Sequence, residues 1–94
     1  MEKTTVKAVI TVIGKDTIGI LAKVSTLCSK HGANVIEVTQ SVLQDLFAMI
    51  MLVDVSALNI EFSQLSDKLK QLGSSESLTI NIINSEVFEA MHNV

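Results

Sequence analysis

The sequence predicts an α+β domain with four strands and two long helices, in the order β-α-β-β-α-β. Three observations carry that prediction. Apolar runs rich in β-branched residues recur at 6–13, 34–43, 46–55 and 78–83. Between the first two runs, and again between the last two, apolar residues return at helical spacing. Each change of pattern is marked by Gly or by a short polar cluster, and no Pro interrupts any element.

The elements follow in order. Val6–Ile13 reads as the first strand and Gly14 ends it. From Ile18, apolar positions recur at Ile20, Leu21, Val24, Leu27, Cys28 and His31, one face of a helix. Asp16 is the expected N-cap of that helix and Gly32 its C′ residue. The second strand runs from Asn34 to about Leu43. Gln44-Asp45 makes a tight turn, and Leu46–Val55 is the third strand. Asn59 or Ser56 is expected to open the second helix, whose face carries Phe62, Leu65, Leu69 and Leu72, and Gly73 is expected to close it. Ser74–Ser77 reads as a loop and Leu78–Ile83 as the fourth strand. Val87, Phe88 and Met91 in the 85–94 tail are spaced for a short C-terminal amphipathic helix.

A ferredoxin-like split β-α-β closes this order as a four-stranded antiparallel sheet with both helices on one face. Right-handed crossovers put strands one and three in the centre and strand two at an edge. Strand three then raises a question. Phe47, Met49, Met51 and Val53 line one side, but Ala48, Ile50 and Leu52 line the other. A half-solvated antiparallel strand should alternate in polarity. The second face is therefore expected to be covered in part, by another subunit or by the Val87/Phe88/Met91 tail.

Composition narrows the function. The 94 residues make one domain, 1–94, with a small core. The net charge is −3 and there is no basic run, which argues against nucleic acid as a partner. No apolar stretch is long enough to span a membrane, and residues 1–5 lack a signal-peptide layout. A single cysteine, Cys28, fits a reducing, cytoplasmic setting.

The pattern G-x-D-x-x-G-[IL]-L after a strand, then a helix, then G-x-N-[VI], resembles the ACT domain family. The matching residues are Gly14, Asp16, Gly19, Ile20 and Leu21, then Gly32, Asn34 and Val35. Gln40, Phe47-Ala48-Met49 and Phe88-Glu89-Ala90-Met91 are similar to stand-alone bacterial members related to the regulator of the glycine cleavage system. The resemblance covers nearly the whole chain. It implies a non-catalytic regulatory module in amino-acid metabolism, with no cofactor, that binds an amino acid at a homodimer interface and acts on a regulated protein. It places the ligand at Gly14, Lys15, Asp16, Thr17, Ile18, Gly19 and Ile20, together with Asn34, Val35 and Ile36. The chain departs from the family where members carry Pro (here Ile18) and where serine-binding members carry His and Asn (here Gly14 and Asp16).

The chemistry suits such a ligand. A carboxylate needs donors, and the first turn of a helix offers unpaired N–H groups and a positive dipole end. An ammonium group needs acceptors, which Asp16 and loop carbonyls supply. Asn34 offers both kinds of group across the junction. Each residue also has a plainer role: Asp16 as cap, Gly14 and Gly19 as turn residues, Asn34 in a local bond. Gln40 reads as an interior amide or a functional one on the Ile36/Val38/Val42 face. Cys28 packs, His31 caps its helix, and Met49 with Met51 belongs to core or interface.

Other chemistries fit less well. GKDTIG lacks the spacing of a phosphate loop. The loop holds no Cys for a C-x-x-C metal carrier. Gln44-Asp45 is too short for the long loop of a nucleotide sensor. A small dimeric α+β-barrel enzyme would need polar groups aimed into its pocket, where this sequence offers Val, Ile, Leu and Met. A ligand-free protein–protein adaptor is the other alternative.

Overall fold

In the computed structural model, residues 6–15 and 19–92 are described. The elements are β1 (Lys7–Gly14), α1 (Ile20–Lys30), β2 (Asn34–Leu43), β3 (Leu46–Asp54), α2 (Phe62–Ser75), β4 (Thr79–Asn84) and α3 (Ser85–His92). The strands form one sheet in the order β2-β3-β1-β4, with every neighbouring pair antiparallel. This is the ferredoxin-like topology expected, with β1 and β3 central and β2 at an edge.

The core lies between the sheet and the two long helices. From β1 it takes Ala8, Ile10 and Val12, and from β3 Met49, Met51 and Val53, which stand opposite one another in the register. β4 adds Ile80 and Ile82, α1 adds Ile20, Val24 and Cys28, and α2 adds Leu65 and Leu69. A strand shows one face per two residues, so the alternate positions Val9, Thr11, Ala48, Ile50 and Leu52 fall on the other side. There α3 packs against β1 and β4. Phe88 turns inward, half-buried, while Val87 and Met91 stay exposed. The tail thus covers part of the second face, and Ile13, Leu46 and Ile50 remain exposed beyond it.

Several local expectations give way to tertiary contacts. The N-cap of α1 is Gly19, at φ +76, rather than Asp16, which lies outside the described residues. Neither Ser56 nor Asn59 caps α2. Ser56 instead accepts a hydrogen bond from the Val6 N–H, and Asn59 binds the end of α1. The cap is Glu61, in a reciprocal capping box with Gln64. Gly73 does not close α2, which continues to Ser75. The chain reverses two residues later at Ser77, φ +58. Gly73 is there because β4 crosses too closely for a side chain: a Cβ would stand 2.7 Å from the Leu78 carbonyl oxygen.

In β2 the register shifts between Val35 and Glu37, leaving Ile36 in a bulge and exposed. Ile36 therefore does not share the face of Val38 and Val42. Gln40, opposite Met49, is exposed and is not an interior amide. Strands β1 and β4 are each displaced by one residue from the expected 6–13 and 78–83.

Candidate functional site

The loop after β1 begins at Gly14, which pairs with Phe47 next to the β2–β3 turn. A Cβ at Gly14 would meet the end of the Leu78 side chain, which would have to turn aside to admit it. Lys15 reaches Asp45 of that turn at 3.6 Å, an exposed pair that contributes little stability. Asp16, Thr17 and Ile18 lie outside the described residues. Gly19 is exposed, and a Cβ built on it would meet nothing within 4 Å. Ile20 is in the core, so the site can use only its backbone.

Among the described residues, nothing stands over the start of α1. Among the described residues no side chain caps it, and its first turn carries no acidic residue. The early N–H groups of a helix have no intrahelical acceptor, and the dipole makes that end positive. Among the described residues, the space beside Gly19 is clear as well.

Asn34, Val35 and Ile36 lie elsewhere. Asn34 pairs with Asp54, which also pairs with Lys7 at the far end of β1. Seven residue steps of β1 separate that level from Gly14, roughly 20 Å of strand. Within one chain the two groups are not brought together, and Asn34 does not face the loop across the junction. The separation arises because α1 carries the chain back along the sheet before β2 begins. Asn34 and Val35 instead line a shallow depression with Ser25, Ser29 and Ala33, of about 430 Å³.

The end of α1 is fixed by polar contacts. His31 is the C-cap, its N–H donating to the Cys28 carbonyl, and Gly32 follows at φ +84, its N–H donating to the Ser29 carbonyl. The Asn59 Nδ2 donates to the Lys30 carbonyl at 3.1 Å, which turns its Oδ1 toward His31 Nδ1 at 3.2 Å. That oxygen only accepts, so the proton of a neutral His31 sits on Nδ1. Cys28 is fully buried, and burial pushes its thiol up to about 11.

Two further concavities were not foreseen. One, of about 280 Å³, lies beneath α3, with Val9, Ile50 and Leu52 as its floor and Glu37 and Glu89 at its rim. The other, about 650 Å³, runs between α1 and α2. The sequence held a signal for the second: Lys23, Leu27 and Lys30 are spaced for one side of a helix. Among the described residues no group of three or more His, Cys, Asp or Glu is placed to hold a metal ion. No helix among them is long and apolar enough to cross a membrane.

Comparison with known proteins agrees with this architecture. The ACT domain profile matches residues 7–82. A UPF0237 protein of Methanococcus maripaludis is 41% identical over 86 residues, covering 92% of this chain and 96% of the relative. An ACT domain protein from Streptococcus pneumoniae superposes with a TM-score of 0.78 at 35% identity, over 92% of this chain and 97% of that one. A putative glycine cleavage system transcriptional repressor superposes at 0.72 with 27% identity, over 87% of this chain and 47% of that protein.

Proposed function

From the premise that the chain belongs to the ACT domain family, we propose that it is a non-catalytic, cytoplasmic regulator that senses an amino acid at a homodimer interface and acts on a protein of amino-acid metabolism. The observation that carries the reading is the open start of α1. Among the described residues no side chain caps its N–H groups and the space at Gly19 is clear, which suits a ligand carboxylate. Asp16, in the same loop, supplies an acceptor for the ammonium group. The similarity to a putative repressor of the glycine cleavage system supports a role in amino-acid regulation.

A second copy completes the site. β2 is a ten-residue edge strand, and Ile36, Val42 and Leu43 on it are exposed. An unpaired edge of that length is a template for another strand. Antiparallel pairing of β2 with its two-fold mate would set Asn34 of one protomer near the Leu43 end of the other. That end adjoins the Gly14 loop. The halves that lie apart in one chain would then meet across the interface.

The test is a thermal-shift screen of the common amino acids, followed by calorimetry on any hit. A ligand that binds only the folded state raises Tm, by the equivalent of about 2.7 kcal/mol at a hundred times its Kd. Asp16→Ala and Asn34→Ala should each weaken binding tenfold or more. No stabilisation by any amino acid would remove the sensor reading, and a dimer that persists without a ligand would favour the adaptor.

A further inference from the structure

The groove between α1 and α2 shares no residue with the amino-acid site. Its volume, about 650 Å³, is that of a small-molecule site, and Ala22, Leu27 and Leu72 give it an apolar lining. Each helix returns the chain along the strand before it, and β1 and β3 are antiparallel, so α1 and α2 run antiparallel as well. The charges divide the groove into two ends. At one end Lys23 is matched by Glu76 at 2.8 Å. Lys30 is seven residues further along α1, about 10 Å, and Lys68 is eight residues back from Glu76, about 12 Å. Both therefore stand at the other end, and neither has an ion-pair partner among the described residues. In a chain of net charge −3, two unmatched cations at one end of an apolar groove are a local reversal of sign.

His31 belongs to the same end. It is nine-tenths buried and lines the groove. Asn59 fixes the proton of the neutral ring on Nδ1, which leaves a lone pair on Nε2. Nε2 has no hydrogen-bond partner among the described residues and is not sealed from solvent. The C-terminal end of a helix is negative and would oppose an anion. Here the carbonyls of Cys28, Ser29, Lys30 and His31 already accept N–H groups, from His31, Gly32 and Asn59.

We propose that this groove binds a phosphate monoester with an apolar or aromatic body. Lys30 and Lys68 meet two of the phosphate oxygens. One proton lies between a third oxygen and His31 Nε2, because a fully ionised phosphate would face the lone pair of a neutral ring. A phosphate monoester loses that proton only at about pH 6. A carboxylate loses its own at about pH 4, and it brings two oxygens to three nitrogen groups. The body lies along Leu27 and Leu72 toward Ala22, where the Lys23–Glu76 pair adds no net charge. From Ala22 to Lys30 the helix spans about 12 Å, room for a hexyl chain or a nucleoside.

Calorimetry and amide NMR spectra of the full chain test this with hexyl phosphate, adenosine monophosphate and inorganic phosphate, and with hexanol and adenosine as uncharged counterparts. Hexyl phosphate or adenosine monophosphate should bind tenfold or more tightly than inorganic phosphate and than its own counterpart. Whichever does so identifies the body as an alkyl chain or a nucleoside. Amide shifts should be confined to residues 22–31 and 68–75, and the His31 ring signals should move with them. Lys30→Gln combined with Lys68→Gln should weaken binding tenfold or more; both side chains are exposed, and an unchanged Tm confirms that the fold is kept. Lys70→Gln, at an exposed lysine of α2 that does not line the groove, should leave binding unchanged. Equal affinity for all three phosphates, binding that survives the double substitution, or no binding would each overturn the proposal. Shifts at Gly19 and Ile20 instead would also overturn it, by placing the ligand at the start of α1.

Discussion

At Gly73 two physical effects oppose each other, and their sizes decide the outcome. Alanine is favoured over glycine in a helix by about 1 kcal/mol. A Cβ at this position, however, would stand 2.7 Å from the Leu78 carbonyl oxygen and 3.1 Å from Ile80 Cγ1. The Leu78 backbone cannot easily retreat, since its N–H donates to the Gly73 carbonyl at 2.8 Å. Gly73→Ala should therefore destabilise the domain, by roughly 1–3 kcal/mol, the usual range for overpacking. A rise in Tm would show that propensity outweighs the contact. Cys28 makes a second prediction at this scale. Burial raises its thiol from 9.0 to about 11, so the folded state favours the protonated form. That contribution is complete below pH 9, where both states hold the proton, and is lost as the pH rises toward 11. Urea titrations between pH 8 and 11 should show a steeper loss of stability in the native chain than in Cys28→Ala. Lysines titrate in both proteins and cancel in the comparison. Equal slopes would mean that the thiol does not contribute.

At the scale of elements, the hydrophobic periods were enough to locate all four strands and both long helices, because each buries one face against a single core. The ends of elements were less legible. Asn59 has the composition of an N-cap, but its side chain is committed to Lys30 and His31 across the β3–α2 connection. Ser56 is likewise occupied by the Val6 N–H. Only tertiary structure decides which polar residue is left to cap a helix. The bulge at Ile36 was hidden for a related reason, since one inserted residue in an apolar strand leaves its composition unchanged. Asn59→Ala removes the two side-chain bonds that hold the end of α1 and leaves the backbone bond from the Asn59 N–H to the His31 carbonyl, 3.0 Å. The expected cost is about 1–2 kcal/mol, at the lower end because the site is partly solvated. It should appear as a lower Tm and as faster amide exchange at Gly32 and Ala33, with β1 and β3 unaffected. Uniformly faster exchange would mean that the contact supports the whole fold and not one helix end.

For the whole molecule, shape leaves one face of the sheet only partly covered. The Cα frame measures only 19 Å through its shortest dimension, one sheet and one layer of helices. α3 shields part of the sheet's second face, and a band of exposed apolar residues on that face runs from Ile13 and Ile50 to Leu46 and Leu43 at the β2–β3 end. The loop and Asn34 were both legible as ligand-binding candidates in the sequence. Their separation along the sheet was not, because it follows from the direction in which α1 returns the chain. If the site is composite, breaking the β2 edge must abolish ligand binding along with the dimer, although the altered residue need not touch the ligand. Val42→Lys combined with Leu43→Lys tests this. The two side chains are 68% and 73% exposed, so their replacement costs the isolated protomer little. Sedimentation should show a protomer, and calorimetry should show an affinity for any identified amino acid reduced a hundredfold or more. A protomer that binds at native affinity would place the whole site within one chain, at the start of α1. A variant that remains dimeric would move the interface away from β2, toward the open face around Ile50.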